Sequence, residues 1–345
     1  MSLIKKKRFW LGLAVTAVLL YLVFRQVDWA ELLQALRDAQ YGWLVPALAV
    51  YLFGYWLRAV RWSYLLNSVK PLSWQNLFPP LILGFMANNV LPARAGEFVP
   101  AYVVGKREGV SKASVFATMI MQRAFDGLVM VLLAGVVLAL FQVPRTPANA
   151  SFVDLVNTVV DLTTLLFIVL FAVLFALITW KERAVAVLNR VLRILPAGLQ
   201  PRVSRLASSF ISGLAGLRNR KDSLLAFLFS LLAWLCESAA YYFVLLAFSL
   251  HLPLYAAVML MAVVNLGIML PSSPGYVGPF EFFGVSTLRF FGVDKSISLP
   301  CILVIHALIW LPITLWGLYY MWTWKLSFHE IEDTAERNAP ETGAN

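Results

Sequence analysis

Long apolar runs separated by short polar junctions make up most of this chain. They fall at about 9–25, 43–66, 76–91, 113–141, 162–180, 223–250, 253–271, 275–291 and 297–324. Many approach the roughly 20 residues that a helix needs to cross about 30 Å of hydrocarbon. The pattern predicts an all-α, polytopic integral membrane protein.

Composition agrees. Of 345 residues, 61% are hydrophobic and 13% charged, and the mean hydropathy is +0.77. A soluble domain keeps roughly a quarter of its residues charged. Trp10, Trp43, Trp74, Trp322 and Trp324 stand near run ends, where indoles suit the headgroup level. No polar block is long enough for a separate soluble domain. A single transmembrane domain is expected over 1–325, with a polar cytoplasmic tail at 326–345. Cys236 and Cys301 lie inside apolar runs without metal-like spacing, and no cofactor is expected.

The net charge of +10 sits mostly at the ends of the runs. Cytoplasmic positive loops explain it, and nucleic acid is not an expected partner. Lys5-Lys6-Lys7-Arg8 precedes the first run, which ends Val23-Phe24-Arg25-Gln26-Val27 without a small-x-small cleavage site. It reads as an uncleaved first span with its N-terminus inside.

Charge also orients the later segments. Lys181, Arg183, Arg190, Arg193, Arg202, Arg205, Arg218, Arg220 and Lys221 oppose only Glu182 and Asp222, so 181–222 is expected to be a cytoplasmic amphipathic loop. Val185, Leu188, Leu192 and Leu195 recur there at helical spacing, as in a helix lying on the inner leaflet. Lys106, Arg107 and Lys112 against Glu108 make 104–112 cytoplasmic too. Both placements hold only if about 76–105 enters and leaves on the cytoplasmic side. Lys325 after the last run then requires about 253–291 to dip from the outside. The expectation is about six full spans and two re-entrant hairpins, with both termini cytoplasmic, in the inner (cell) membrane.

Both hairpins turn at helix breakers, Leu91-Pro92-Ala93-Arg94-Ala95-Gly96-Glu97 and Leu270-Pro271-Ser272-Ser273-Pro274-Gly275. Irregular backbone at membrane depth is tolerated only against protein or a wet cavity, so two breaks suggest a buried site. The segments also repeat. Leu91-Pro92 before Glu97 parallels Leu270-Pro271 before Glu281, and Gly109-Val110-Ser111-Lys112 parallels Gly292-Val293-Asp294-Lys295. In that register Arg123 corresponds to His306. Inverted repeats with broken helices are a pattern of secondary transporters.

Ionisable groups inside spans are rare and cost about 2.5–3.5 kcal/mol on insertion scales. Arg123 lies about ten residues, or about 15 Å, into its span, with Asp126 one turn on as an ion-pair partner. Glu237 and His306 fall at similar depth. Glu237 has no obvious partner on its own helix, and His306 also reads as a core residue. Pro92 suits a first helical turn, so nearby amides and Arg94 could attract an anion, with Glu97 capping that turn or pairing with Arg94 or Arg123. The second tip offers Ser272 and Ser273, and Glu281 as a structural or functional group. Arg58 and Arg61, near the cytoplasmic end of the second span, read as snorkelling to headgroups or as a phosphate-receiving pair at a lateral entrance. No Gly-rich nucleotide loop, metal-spaced cluster or Ser-His-Asp arrangement is present.

Four ordered motifs carry a resemblance: Arg58-Ala59-Val60-Arg61-Trp62, Asn89-Val90-Leu91-Pro92-Ala93-Arg94-Ala95-Gly96-Glu97, Gln122-Arg123-Ala124-Phe125-Asp126, and Pro274-Gly275-Tyr276-Val277-Gly278-Pro279-Phe280-Glu281. Over about 9–324 the chain resembles the flippase-like transmembrane family that includes the membrane domain of lysylphosphatidylglycerol synthases. The resemblance implies lipid translocation. The chain stops at Asn345 without an aminoacyl-transferase domain, so synthase activity is expected to be absent. Stand-alone members have been linked to polyprenyl-phosphate sugars or hopanoids, which leaves the cargo open. Pro100 and His306 stand where the resemblance leads one to expect arginine.

The leading expectation is a flippase for an anionic phospholipid or a polyprenyl-phosphate-linked lipid, not an enzyme, with possible proton or ion coupling. Arg94 and Arg123 would meet phosphate, and Glu97, Glu237 and Glu281 would tune it or carry protons. The rivals are a membrane-embedded transferase acting on a lipid carrier and an ion-coupled carrier of a small anion.

Overall fold

The structure, a computed structural model, describes residues 7–25, 27–91, 96–140, single positions between 154 and 180, 200–214, 219–268 and 274–326. Its helices are α1 (Lys7–Phe24), α2 (Trp29–Asp38), α3 (Leu44–Leu66), α4 (Trp74–Val90), α5 (Val99–Glu108), α6 (Lys112–Leu140), α7 (Gln200–Gly213), α8 (Arg220–Ala247), α9 (Leu254–Gly267), α10 (Pro279–Phe290) and α11 (Lys295–Thr323).

Among the described residues, four helical segments are long and apolar enough to cross a membrane: Tyr41–Leu66, Lys112–Val137, Arg220–Ala247 and Lys295–Thr323. A fifth is reached if α1 and α2, bent by 86° at their junction, form one broken span. The run at 162–180 lies largely outside the described residues, as do the surface helix expected at 185–195 and the tail. α2 is amphipathic and belongs to no apolar run. The Asp28 carboxylate starts it by accepting from the Ala30 and Glu31 amides at 2.9 and 3.2 Å.

The long helices are inside out relative to a soluble bundle. On α8, Ala226, Ser230, Ala233, Glu237, Ala240 and Val244 form the buried stripe, while Leu224, Leu228, Leu232 and Leu235 are exposed. Small residues on the inner stripe let α3 approach closely: a Cβ on Gly54 would lie 3.3 Å from that of Cys236. α6 exposes Leu128, Leu132 and Val136, and α11 exposes Leu311 and Leu315. Polar groups face inward and leucines outward, as hydrocarbon requires.

One order of elements occurs twice, long–medium–short–long, as α3–α4–α5–α6 and α8–α9–α10–α11. The middle pair of each set is a helical hairpin. In the first, Gly84 and Gly96 come together because neither carries a side chain; a Cβ on Gly84 would lie 2.5 Å from Pro100 Cγ and 3.2 Å from the Gly96 carbonyl oxygen. Lys70 Nζ closes its mouth by donating to the Glu108 carboxylate and carbonyl, both at 2.9 Å. In the second, Gly267 packs on Phe283, and the mouth closes through the Tyr255 and Phe291 rings, 6.0 Å apart. Gly109 (φ +68°) and Gly292 (φ +81°) end the two short helices in the left-handed region.

The mouths lie at opposite ends of α11. Arg107, at the first mouth, stacks its guanidinium 3.7 Å from the Trp324 ring centroid, just past the end of α11. Phe291, at the second mouth, precedes α11 by four residues. The 29 residues of α11 rise about 43 Å between them. α7 packs against the start of α6, where Ser114 donates to the Ser209 carbonyl at 2.7 Å. Two positively charged segments therefore share one side of the protein.

Candidate functional site

The hairpin tips meet halfway along α11. Asn89, at the end of α4, donates through Nδ2 to Thr314 Oγ1 at 2.9 Å. From the other side, the turn Pro274–Tyr276 brings the Gly275 carbonyl within 2.8 Å of His306 Nε2. A Cβ on Gly275 would lie 3.4 Å from the Asn89 carbonyl oxygen and 2.9 Å from Trp310 Nε1. Gly275 (φ +72°) and Tyr276 (φ +61°) are both left-handed, a backbone that favours glycine at the first position.

Beneath the tips lies a charge network spread over α3, α6 and α8, joined by Glu97 just before α5 and Asn265 on α9. The Arg58 guanidinium, on α3, donates to Glu237 on α8 at 2.7 Å, and Glu237 also accepts from Asn265 Nδ2 at 3.0 Å. Arg58 stacks over Tyr55 and Trp234 as well, 5.0 and 4.8 Å from their ring centroids. One turn along α3, Arg61 donates to both carboxylate oxygens of Asp126, to Ser230 Oγ at 2.8 Å and to Gln122 Oε1 at 3.0 Å. Trp234 Nε1 donates to the same Asp126 carboxylate at 3.0 Å.

Arg58 and Arg61 are therefore core residues, 3% and 2% exposed. Counting from the end of the apolar run put them near the surface. The packing of α6 and α8 against α3 covers them instead.

Arg123 is placed differently. Its Nη2 reaches Glu97 at 2.9 Å, its Nε donates to the other Glu97 oxygen at 3.1 Å, and its Nη1 lies 3.6 Å from Asp126. The expected Arg123–Asp126 pair is thus the looser contact of each partner. Asp126 is held mainly by Arg61, and Arg123 mainly by Glu97. The Arg123 side chain is 42% exposed against 2% for Arg61 and 4% for Arg58. Asn88 Nδ2 donates to Glu97 at 3.2 Å and ties the pair to the first hairpin.

A narrow cleft opens beside this pair, lined by Arg61, Asn88, Glu97, Gln122 and Arg123 among others, with about 20 Å³ of free space. That is room for about one water, not for a headgroup. Arg61 Nε and Asn88 Oδ1, on two of its lining residues, are buried without a hydrogen-bond partner among the described residues.

The second hairpin mirrors the arrangement. Glu281 accepts from the Gly278 amide at 2.7 Å, capping the start of α10, and from His306 Nδ1 at 2.6 Å. The His306 ring stacks on Phe280 at 4.2 Å. Both its nitrogens face acceptors, an arrangement that the doubly protonated ring satisfies in full and either neutral tautomer in half. Arg94, Ser272 and Ser273 lie outside the described residues. Asn88, Gln122, Ser230, Trp234 and Asn265 join the network without having been singled out. Their signal was a side-chain amide, hydroxyl or indole N–H on an apolar helix, which in hydrocarbon also needs a partner. Among the described residues, no group of three His, Cys, Asp or Glu is placed to hold a metal ion.

Comparison with known proteins decides the family. Residues 9–317 match the family described as the lysylphosphatidylglycerol synthase TM region. The chain belongs to it. A UPF0104 membrane protein of Methanothermobacter thermautotrophicus is 28% identical over 78% of this chain and 81% of its own length. A further UPF0104 membrane protein match in that organism is 24% identical over 85% of this chain and 86% of the relative. The glycosyltransferase AglD of Haloferax volcanii is 34% identical over 37% of this chain, and the match spans only 20% of AglD. No solved structure matches.

Proposed function

We propose that this family member is a flippase in the cell membrane that carries the headgroup of an anionic lipid, a phospholipid or a polyprenyl-phosphate-linked lipid, between the two leaflets. The observation that carries the reading is the meeting of two helical hairpins, opening at opposite ends of α11, above arginine–carboxylate pairs. In a bilayer such hairpins are re-entrant, one from each face, and the two halves form an inverted repeat. The acyl or prenyl tail stays in hydrocarbon while the headgroup crosses between the tips. With about 20 Å³ free, the described arrangement is the closed one, and the tips must part for passage.

Arg123 is the headgroup-receiving cation, since it is far more exposed than Arg58 or Arg61 and is held across the first hairpin by Glu97. A phosphate that takes Glu97's place on Arg123 leaves Glu97 free to accept a proton, which gives a route to proton coupling. The buried pairs Arg58–Glu237 and Arg61–Asp126 form the framework below. In this reading both termini are cytoplasmic, on the side of the Lys70, Arg107 and α7 charges, and the protein performs no covalent chemistry.

The test is reconstitution in liposomes with fluorescent phosphatidylglycerol or a labelled polyprenyl phosphate, read by quenching of outer-leaflet dye. The wild type speeds translocation of one of them over empty liposomes. Arg123→Gln slows it by about tenfold or more, a loss of about 1.4 kcal/mol or more, while melting within a few degrees of wild type. No acceleration of any anionic lipid contradicts the reading. A transferase is the second reading, favoured by the name of AglD, and would give a covalently altered lipid when an activated donor is added.

A further inference from the structure

A second cavity lies away from the tips, where α1 ends beside the second hairpin's mouth. It encloses about 180 Å³ between the end of α1, the outer face of α10 and the start of α11. Three cations line it, Arg25, Arg289 and Lys295, together with Ser286, and no carboxylate does. The positive charges of Arg25 and Arg289 bear directly on the Lys295 ammonium. Leu22, Phe282 and Val285 supply an apolar wall.

The plain structural account covers one of the three cations. Lys295 Nζ donates to the Arg25 carbonyl at 2.6 Å and the Leu22 carbonyl at 3.4 Å, so it satisfies the last carbonyls of α1 and offsets their negative end. Arg25 and Arg289 are left exposed, and neither makes an ion pair with a described carboxylate. Two unpaired arginines converging on a third cation repel one another, and a bound anion removes the repulsion. Guanidinium forks suit phosphate oxygens in particular. The free volume is several times that of the cleft at the tips, enough for a phosphate group with its ester oxygens.

We propose that this cavity binds the phosphate of an anionic lipid headgroup, with Arg25 and Arg289 donating to its oxygens and the glycerol end resting on Phe282 and Val285. Lys295 stands eleven residues before His306, about 16 Å along α11, so the site is distinct from the tips. The bound lipid bridges α1 to the second hairpin, adding to the bond from Thr16 Oγ1 to the Val277 carbonyl at 3.0 Å.

The experiment is native mass spectrometry of the full chain in detergent, titrated with dioleoyl phosphatidylglycerol, alongside thermal unfolding with inorganic phosphate alone. Variants are Arg25→Gln/Arg289→Gln, its charge-preserving counterpart Arg25→Lys/Arg289→Lys, and a control at the exposed start of α8, Arg220→Gln/Lys221→Gln. The glutamine pair is expected to lose the tightest-bound phosphatidylglycerol by roughly tenfold or more, which is about 1.4 kcal/mol or more of binding. The lysine pair and the control keep it, and unliganded melting is unchanged. Equal lipid binding by wild type and the glutamine pair overturns the proposal. So does stabilisation of the wild type by inorganic phosphate, absent in the glutamine pair, without any difference in lipid binding, which assigns the cavity to a soluble anion. Arg123 and Glu97 are untouched, so the outcome is independent of the transport test.

Discussion

Arg123 and His306 hold the same place in the two halves of the protein. Each is the twelfth residue of a 29-residue helix, and each pairs with the glutamate near the start of its own hairpin's short helix, Glu97 at 2.9 Å and Glu281 at 2.6 Å. The pairs differ in exposure: Arg123 is 42% exposed and His306 12%. The more exposed pair carries the permanent cation. The more buried one carries an imidazole held between two acceptors.

This difference predicts the behaviour of His306. His306→Arg places a permanent cation beside Glu281 and is expected to fold and to retain transport. His306→Leu strands a buried carboxylate that also caps α10, and is expected to lose about 3 kcal/mol or more of stability. Melting temperatures in detergent check both. Equal melting of the two variants would show that the Glu281 contact carries no weight.

Asp126 is the hub of the deep network, touching Arg61, Arg123 and Trp234. Asp126→Asn removes the counter-charge of a fully buried arginine, and a loss of about 3–5 kcal/mol is expected. Arg61→Met/Asp126→Leu removes both charges and is expected to be more stable than either single change. A double-mutant cycle read by denaturant unfolding gives the coupling, expected at about 0.5–3 kcal/mol. Additive losses would contradict the pairing.

The second tip depends on Gly275. A side chain there is strained by its left-handed backbone and meets the Trp310 indole nitrogen at 2.9 Å. Gly275→Ala is expected to cost about 1–2 kcal/mol and to displace the turn from α11. Trp310 fluorescence and melting report it, best in a background where other indoles are replaced. Gly292→Ala, left-handed with nothing within 4 Å of its added Cβ, isolates the backbone cost alone.

Much of this was legible in the sequence because hydrocarbon is a demanding solvent. Run length marked the four long helices, and the breakers around Pro274 marked the second turn, while Pro92 lies outside the described residues. The repeat was carried by Gly109–Lys112 and Gly292–Lys295, which do end two short helices and begin two long ones. The pairing of charges was not legible. Arg58 and Glu237 are 179 residues apart, and nothing local links them. Distance from a run's end did not show that Arg58 and Arg61 are buried, because depth along one helix says nothing of what packs over it. α2 escaped notice because Glu31, Arg37 and Asp38, on its polar face, break up any apolar run in sequence, and Leu32 alone of its residues is buried.

The central claim is that the tips part to let a headgroup through, and a cross-link that pins one tip to α11 tests it most directly. In a background with Cys236 and Cys301 replaced by alanine, Asn89→Cys and Thr314→Cys put thiols in place of two side chains that already bond at 2.9 Å. The account predicts that oxidation halts translocation of fluorescent anionic lipid in liposomes and that a reductant restores it. Equal rates for the oxidised and reduced protein, with the cross-link confirmed by mass, would mean that lipid does not pass between the hairpins.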